Sequence, residues 1–400
     1  MFRSKRSQCA ASMRRWSPRE PGPSPTVRPA GRRGILCAVI SSRIWSVAIG
    51  AAAAGIDRTA VAAMHLRNAR VRARAESLGP EQRMAALAAI AETYDRAENF
   101  GAPDAFFTPP ALVSPRLASV RSRVWDASWA SAYEPYGREV RDRYLAHVNN
   151  RTAWARLVLG DRPRPAVILV HGYLGGHWRI EERQFPVEWL DRKGLDVAIP
   201  VLPFHALRGD GGAPRFPGGD PRFTNEGFRQ AVYDLRALAA FLRARGAPSV
   251  GIMGMSLGGY TAALLATVEP SLAFAVPMIP LASVADFALE QGRLVGSTAQ
   301  VELQHRALER ANWVVSPLAR PCLLPRDRVL VIAAAADRIT PITHARRIAR
   351  HFGVRLVTMP GGHLLQIGRG DAFREVARLL GGLGILPARY RRSESQTARS

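Results

Sequence analysis

Residues 249–260 read SVGIMGMSLGGY, where an apolar run stops at Ser256 between two glycines. The stretch TAALLA at 261–266 follows and has the composition of a helix. This pattern predicts a strand, a sharp turn and a helix. Gly254 and Gly258 remove side chains that would collide across such a turn. The turn would lift the serine hydroxyl above the sheet, at a helix N-terminus whose N–H groups stabilise negative charge.

An upstream apolar run, AVILV at 166–170, ends in His171 and Gly172. Its length and its β-branched residues predict a strand that is buried on both faces, as in a parallel sheet. The glycine-containing loop that follows can supply a backbone N–H to an oxyanion. We expect Tyr173 to give one such donor and Leu257 the other, while His171 holds the shape of the loop.

Two further strand-like runs, at 328–336 and 354–359, lead to Asp337 and to a glycine loop with His363. Parallel strands gather the loops at their carboxyl ends into one crevice, so these residues should meet Ser256 there. We predict a triad in which His363 takes the serine proton and Asp337 orients the imidazole. Asp286, which follows another apolar run, is the alternative acid.

From about residue 154 to 380 these motifs resemble the alpha/beta-hydrolase superfamily. The elbow at Ser256 is similar to those of esterases, dienelactone-hydrolase-like enzymes and prolyl-oligopeptidase-like enzymes. The resemblance implies an α/β fold with a mostly parallel central sheet, helices on both faces and a small helical lid insertion. The resemblance does not imply a substrate. From the triad we expect a serine hydrolase that cleaves carboxylic esters through an acyl-enzyme, with no cofactor and no metal.

Other functions use the same residues. A serine peptidase or an acyltransferase would need the same triad, and serine at position 256 argues against a dehalogenase or an epoxide hydrolase. A non-catalytic hydrolase-like binding protein would keep the fold without turnover. The complete set of Ser256, Asp337 and His363 argues against that alternative.

Composition and periodicity divide the chain into segments. We expect a catalytic domain at 154–382 with a lid insertion at about 282–325, whose apolar residues favour acyl or alkyl substrates. An N-terminal helical and aromatic extension at 64–153 should pack on this core, and a basic tail should occupy 383–400. The loop at 203–223 follows a predicted strand and is interpreted as a solvated loop. The alternative is that its His205 and Arg208 contact substrate, for example an anionic group.

The first 63 residues read as a disordered basic tail. Residues 34–56 are apolar apart from Arg43 and a few serines, so they are a candidate signal or anchor segment. Alternatively, Met64 is the true start. We favour a cytoplasmic location, with export or membrane anchoring through 34–56 as the alternative, and we expect a chain that begins at Met64 to keep full activity.

The formal net charge of +24 would ordinarily suggest nucleic acid or a membrane as partner. Lys5 and Lys193 are the only lysines, and the arginines are spread along the chain, which indicates a compositional bias rather than a binding surface. We therefore expect a small-molecule ester or acyl substrate and no nucleic acid. Membrane association is expected only through the N-terminal segment.

Overall fold

The computed structural model describes residues 50–63 and 79–386. Within these two ranges, nine strands form one sheet, and their sequence order differs from their order in space. The strands are β1 Arg116–Arg121, β2 Val124–Ala130, β3 Thr152–Val158, β4 Ala166–Val170, β5 Asp196–Pro200, β6 Val250–Met255, β7 Ala275–Met278, β8 Leu330–Ala334 and β9 Arg355–Met359.

The spatial order of the sheet is β1-β2-β3-β5-β4-β6-β7-β8-β9. The strands from β5 to β9 along this order run parallel, whereas β1, β2 and β3 pair antiparallel with their neighbours. The carboxyl ends of β4, β6, β8 and β9 therefore lie along one edge. This edge carries all the residues of the predicted triad.

Helices connect the strands. Residues 50–63 are helical and are called α1 here. The longer helices that follow are α2 Pro80–Tyr94, α5 Arg138–Leu145, α8 Pro221–Ala244, α9 Leu257–Ala266, α11 Thr298–Asn312, α12 Ile342–Phe352 and α13 Arg369–Gly382. The shorter helices are α3 Glu98–Gly101, α4 Pro103–Phe106, α6 Trp178–Gln184, α7 Val187–Arg192 and α10 Val284–Glu290.

Alternate residues of β4 enter two separate apolar clusters. Ile168 packs with residues of α8 and α9, whereas Val167 and Leu169 pack with residues of α7 and α13. Helices thus cover both faces of the sheet, which explains why the parallel strands are continuously apolar. The predicted α/β fold, with a mostly parallel sheet between helices, is confirmed.

The N-terminal extension does more than pack on the sheet. Its aromatic stretch, expected only to cover the core, forms β2, whose Trp125 and Trp129 pair with residues of β3. The strands β1 and β2 extend the sheet at its β3 edge, so the sheet begins at Arg116 rather than near residue 154. Backbone hydrogen bonds to an open strand edge are the physical reason for this difference.

Part of the expected tail is also ordered. Residues 50–63 form α1, in which Ala53 and Asp57 are fully buried. This helix differs from the expectation of a disordered tail, because its alanine face packs against Ala336. The rest of the tail, residues 1–49, lies outside the described residues, as do residues 64–78 of the extension and residues 387–400. Among the helices that the structure describes, none is long and apolar enough to cross a membrane.

The insertion at 282–325 is helical, as predicted. Its helix α10 binds α12 through Glu290, which accepts a hydrogen bond from His344 over 2.9 Å. Its helix α11 packs against α2 of the extension, where Arg310 donates to Asp95. The insertion is therefore held by parts of the chain that lie on either side of it in sequence.

Candidate active site

Ser256 lies in the sharp turn between β6 and α9. Its backbone has φ 55° and ψ −113°, a conformation that is strained for a residue with a Cβ atom. A Cβ on Gly254 would lie 2.1 Å from the carbonyl oxygen of Gly258, and a Cβ on Gly258 would lie 2.0 Å from that of Val170. Only glycine fits at these two positions, so the glycine spacing is a direct requirement of the turn.

The two candidate oxyanion donors flank the serine. Leu257 is the first residue of α9, so its N–H has no acceptor within the helix. The Cβ position of Gly172 lies 3.5 Å from the Cβ of Ser256, and Tyr173 is the next residue. The loop after β4 therefore reaches the elbow. Assignment of the Tyr173 and Leu257 N–H groups to an oxyanion hole stays a prediction.

Two buried side chains hold this loop. His171 accepts the N–H of Leu202 at Nε2 over 3.0 Å and donates from Nδ1 to the carbonyl oxygen of Gly172 over 2.8 Å. Burial lowers the pKa of His171 to about 4, so the ring is neutral near pH 7. Its expected structural role is confirmed. Glu181 accepts the N–H of Gly176 over 2.8 Å, a contact that no sequence pattern had indicated.

Asp337 and His363 meet at the carboxyl ends of β8 and β9. The Nδ1 atom of His363 lies 2.8 Å from Oδ2 of Asp337. Asp337 is held from the other side, because its Oδ1 accepts the N–H groups of Ile339 and Thr340. The Thr340 hydroxyl lies 3.0 Å from His363 Nδ1 and 3.0 Å from Asp337 Oδ2. Thr340 lies three residues after Asp337, and this spacing is the one sequence signal that could have revealed its contact with the acid.

The histidine loop also contacts the strand that carries the serine. The side-chain amide of Gln366 donates to the carbonyl oxygen of His363 over 3.1 Å and to the sulfur of Met255 over 3.5 Å. Met255 immediately precedes Ser256. Asp337 binds Nδ1 of His363, and Gln366 binds its backbone carbonyl oxygen. Neither contact uses Nε2, which is left for another partner. The structure thus brings the three predicted residues to one edge of the sheet.

The alternative acid lies elsewhere. Asp286 is on α10, where its carboxylate binds His305 over 2.7 Å and also accepts a hydrogen bond from Arg347. His363 is bound to Asp337 instead. Of the two acids left open by the sequence, Asp337 is therefore the one that can orient His363.

The prediction that the loop is solvated is wrong at His205 and Arg208, and their contact with substrate stays a prediction. Both side chains are buried, and Arg208 forms an ion pair with Asp234 over 2.8 Å. It also donates to the carbonyl oxygens of Val201 and Asn150. His205 Nδ1 is bound to the carbonyl oxygen of Pro203 over 2.8 Å. The glycines and prolines of this loop suggested a solvated segment, but the side chains of His205 and Arg208 point into the protein interior.

Buried neutral histidines should make the protein sensitive to acid. Burial lowers the pKa of His205 to about 3 and that of His171 to about 4, both below the value of an unfolded histidine. The unfolded chain therefore binds more protons below pH 6.5, and the stabilisation that is present above pH 6.5 is lost as the pH falls towards 4. For His171 the loss is on the order of 3 kcal/mol.

The measurement is the free energy of unfolding in denaturant between pH 4 and pH 7. His205 packs edge to face against His171 and Phe216, so phenylalanine fits its environment. We expect His205→Phe to flatten the pH dependence, and to lower stability at every pH by about 1–3 kcal/mol because the buried carbonyl oxygen of Pro203 loses its donor. An unchanged slope in this variant would contradict the assignment of acid sensitivity to the buried pair.

Taken together, the strand order, the strained serine elbow and the chain order of serine, acid and histidine define an alpha/beta-hydrolase fold. Uncharacterized protein Rv2627c of Mycobacterium tuberculosis H37Rv is 32% identical to it over 291 residues, which are 69% of this chain and 70% of Rv2627c. The chain belongs to the same family as Rv2627c. No protein-family model matches the chain.

Two solved structures share the general course of the backbone. Acetyl xylan esterase 1 from Thermoanaerobacterium is 16% identical with a TM-score of 0.45, over 74% of this chain and 92% of that enzyme. Acetyl xylan esterase from Paenibacillus sp. R4 is 14% identical with a TM-score of 0.46, over 75% and 92% of the two chains. These values are too low to bear on the activity of this chain.

Proposed function

We propose that this protein is a serine hydrolase that cleaves carboxylic esters through an acyl-enzyme and needs no cofactor. The observation that carries the proposal is the strained backbone of Ser256 at the N-terminus of α9. Strain of this kind costs about 1–3 kcal/mol and persists where function requires it. An ordinary strand-to-helix turn has no need of it, whereas a nucleophile must project its oxygen towards the substrate.

In the proposed reaction, Ser256 Oγ attacks the ester carbonyl carbon while His363 Nε2 takes the hydroxyl proton. The C–O bond to the alcohol then breaks, and His363 returns the proton to the leaving alkoxide. Water repeats the sequence on the acyl-enzyme and releases the acid. The Asp337 carboxylate stabilises the imidazolium that forms in each step, since it accepts the hydrogen bond from Nδ1.

Charge that develops on the carbonyl oxygen needs donors that are already in place. The N–H of Leu257 and the N–H of Tyr173 are the proposed pair, and loss of one such donor costs about 3 kcal/mol of transition-state stabilisation in related chemistry. The burial of His171 and Glu181 supports this assignment. Both side chains tie down the loop that carries Tyr173, which keeps its backbone in a fixed position.

Exposed leucines on the two loops beside the elbow favour an apolar acyl group. Leu174 follows the candidate donor Tyr173 and is 52% exposed, and Leu364 follows His363 and is 57% exposed. Each leucine lies on a loop at the edge of the sheet that carries the triad candidates, where exposed apolar side chains favour apolar ligands. We therefore propose an acyl or alkyl ester rather than a strongly polar one.

The test begins with a fluorophosphonate label, which reacts with activated serines, and with mapping of the labelled peptide. We expect the label on Ser256. A panel of p-nitrophenyl esters from acetyl to longer acyl chains should then show turnover, with a burst of nitrophenol because the acyl-enzyme accumulates. The matched acyl p-nitroanilides test the peptidase alternative, and an added alcohol acceptor tests the acyltransferase alternative.

Each outcome has a separate meaning. Labelling of Ser256 with ester turnover supports the proposal, and faster turnover of the anilides would favour a peptidase. A folded protein whose Ser256 neither labels nor turns over any ester would contradict the proposal and favour a binding protein with the hydrolase fold.

A further inference from the structure

The buried carboxylate of Asp57 binds the loop that carries His363. Asp57 lies on α1 and is fully buried. Its Oδ2 accepts the backbone N–H of His363 over 2.7 Å, and its Oδ1 accepts that of Leu364 over 3.1 Å. A carboxylate buried in this way is stable only when donors satisfy its oxygens. Here the donors are the backbone of the candidate base and its neighbour.

The same carboxylate also reaches the loop of the acid. Oδ2 accepts the backbone N–H of Arg338 over 3.1 Å, and Arg338 directly follows Asp337. One oxygen therefore joins the two loops whose side chains form the bond between Asp337 and His363. Movement of either loop would break a hydrogen bond to Asp57 as well as the bond between the acid and the histidine.

Packing leaves little freedom for this contact. A Cβ on Gly362 would lie 2.7 Å from Oδ2 of Asp57 and 3.2 Å from the carbonyl oxygen of Ala53, so the helix rests directly on the histidine loop. On the same face, Ala53 and Ala54 pack with Ala336, the residue before the acid. Small residues on both sides allow the backbones to approach closely.

We propose that Asp57 is a positioning residue of the active site, which acts through His363 and Asp337 by holding their loops in register. This inference rests on the proposed function, because positioning has a catalytic meaning only if the triad is active. It also makes α1 a part of the catalytic domain. A chain that begins at Met64 lacks Asp57 and is expected to lose activity, contrary to the expectation from sequence.

The experiment compares Asp57→Ala and Asp57→Asn with the wild type in the full chain. The control is Asp196→Ala, which also removes a buried carboxylate that accepts a backbone N–H, that of Gly160 over 2.8 Å. Asp196 begins β5, at the opposite edge of the parallel strands from the elbow. Both alanine variants should lower the melting temperature, so stability alone does not distinguish them.

The distinguishing readout is the separation of kcat from KM. A displacement of about 1 Å in a catalytic group can cost about 100-fold in rate, so Asp57→Ala should lower kcat for a short ester by about that factor with little change in KM. The rate of fluorophosphonate labelling should fall in parallel. Asp57→Asn should retain more activity, because its one carbonyl oxygen can still accept two of the three N–H groups.

Hydrogen exchange supplies a readout that does not depend on turnover. The amides of His363 and Leu364 should exchange at least about tenfold faster in Asp57→Ala than in the wild type or in Asp196→Ala. Wild-type kcat in Asp57→Ala, or an equal loss of kcat in Asp196→Ala, would overturn the proposal. If the wild type itself neither labels nor hydrolyses esters, the proposed function fails, whereas unchanged exchange at His363 would show that the positioning contact is absent.

Discussion

Replacement of Ser256 by alanine is expected to abolish both ester turnover and fluorophosphonate labelling. Removal of the nucleophile from serine hydrolases of this kind lowers kcat by about 10⁶-fold, because no other group can form the acyl-enzyme. The Ser256 side chain makes no capping hydrogen bond to α9, so its removal should cost little stability. The measurements are kcat for a short p-nitrophenyl ester, the extent of labelling and the melting temperature.

A second serine provides the control. Ser297 caps α11, where its hydroxyl accepts the N–H of Gln300 over 3.4 Å, and it lies on the insertion. Ser297→Ala removes a hydroxyl from a helix N-terminus, as Ser256→Ala does, and it should keep wild-type labelling. Full labelling of Ser256→Ala at an unchanged melting temperature would place the nucleophile on another residue.

Asp337→Asn is expected to lower kcat by about 10⁴-fold, the effect of the equivalent change in a serine protease triad. The hydrogen bonds around Asp337 give the reason. Its Oδ1 accepts the N–H groups of Ile339 and Thr340, so the asparagine oxygen would occupy that side and its NH₂ group would face His363. Nδ1 would then have to accept a hydrogen bond, and Nε2 would carry the proton and could no longer act as base.

The comparison variant is Asp286→Asn. In the wild type, the Asp286 carboxylate binds His305 on the insertion and Arg347 on α12. The change should therefore affect kcat by less than about tenfold. Both variants keep the volume of the side chain, and both should fold. If Asp286→Asn proves the more damaging of the two, the assignment of Asp337 as the triad acid is wrong.

Much of the central fold could be predicted because its signals are local. The expected strands at 166–170, 328–336 and 354–359 correspond to β4, β8 and β9 within two residues at each end. Buried parallel strands are short apolar runs whatever they pair with, so composition alone reveals them. The two glycines of the elbow are equally local, since each one prevents a collision with backbone a few residues or one strand away.

The candidate site could be predicted only in part. Ser256, Asp337 and His363 each follow an apolar strand, and a parallel sheet brings such positions to one edge. Asp286 also follows an apolar run, so sequence could not separate it from Asp337. The structure distinguishes the two acids by their partners, since His305 binds Asp286 and His363 binds Asp337.

The amino-acid sequence by itself determined the elbow, the order of the catalytic candidates and the alternation of strands and helices, because these depend on neighbouring residues. Tertiary structure alone decided that the Arg208 side chain is buried against Asp234 and that Asp57 binds the backbone of His363, which lies 306 positions later in the chain. A buried charge is stable only beside partners that satisfy it, and those partners are set by how distant segments pack. For that reason a helix that was predicted to be a dispensable tail contacts the loops of Asp337 and His363 in the candidate active site.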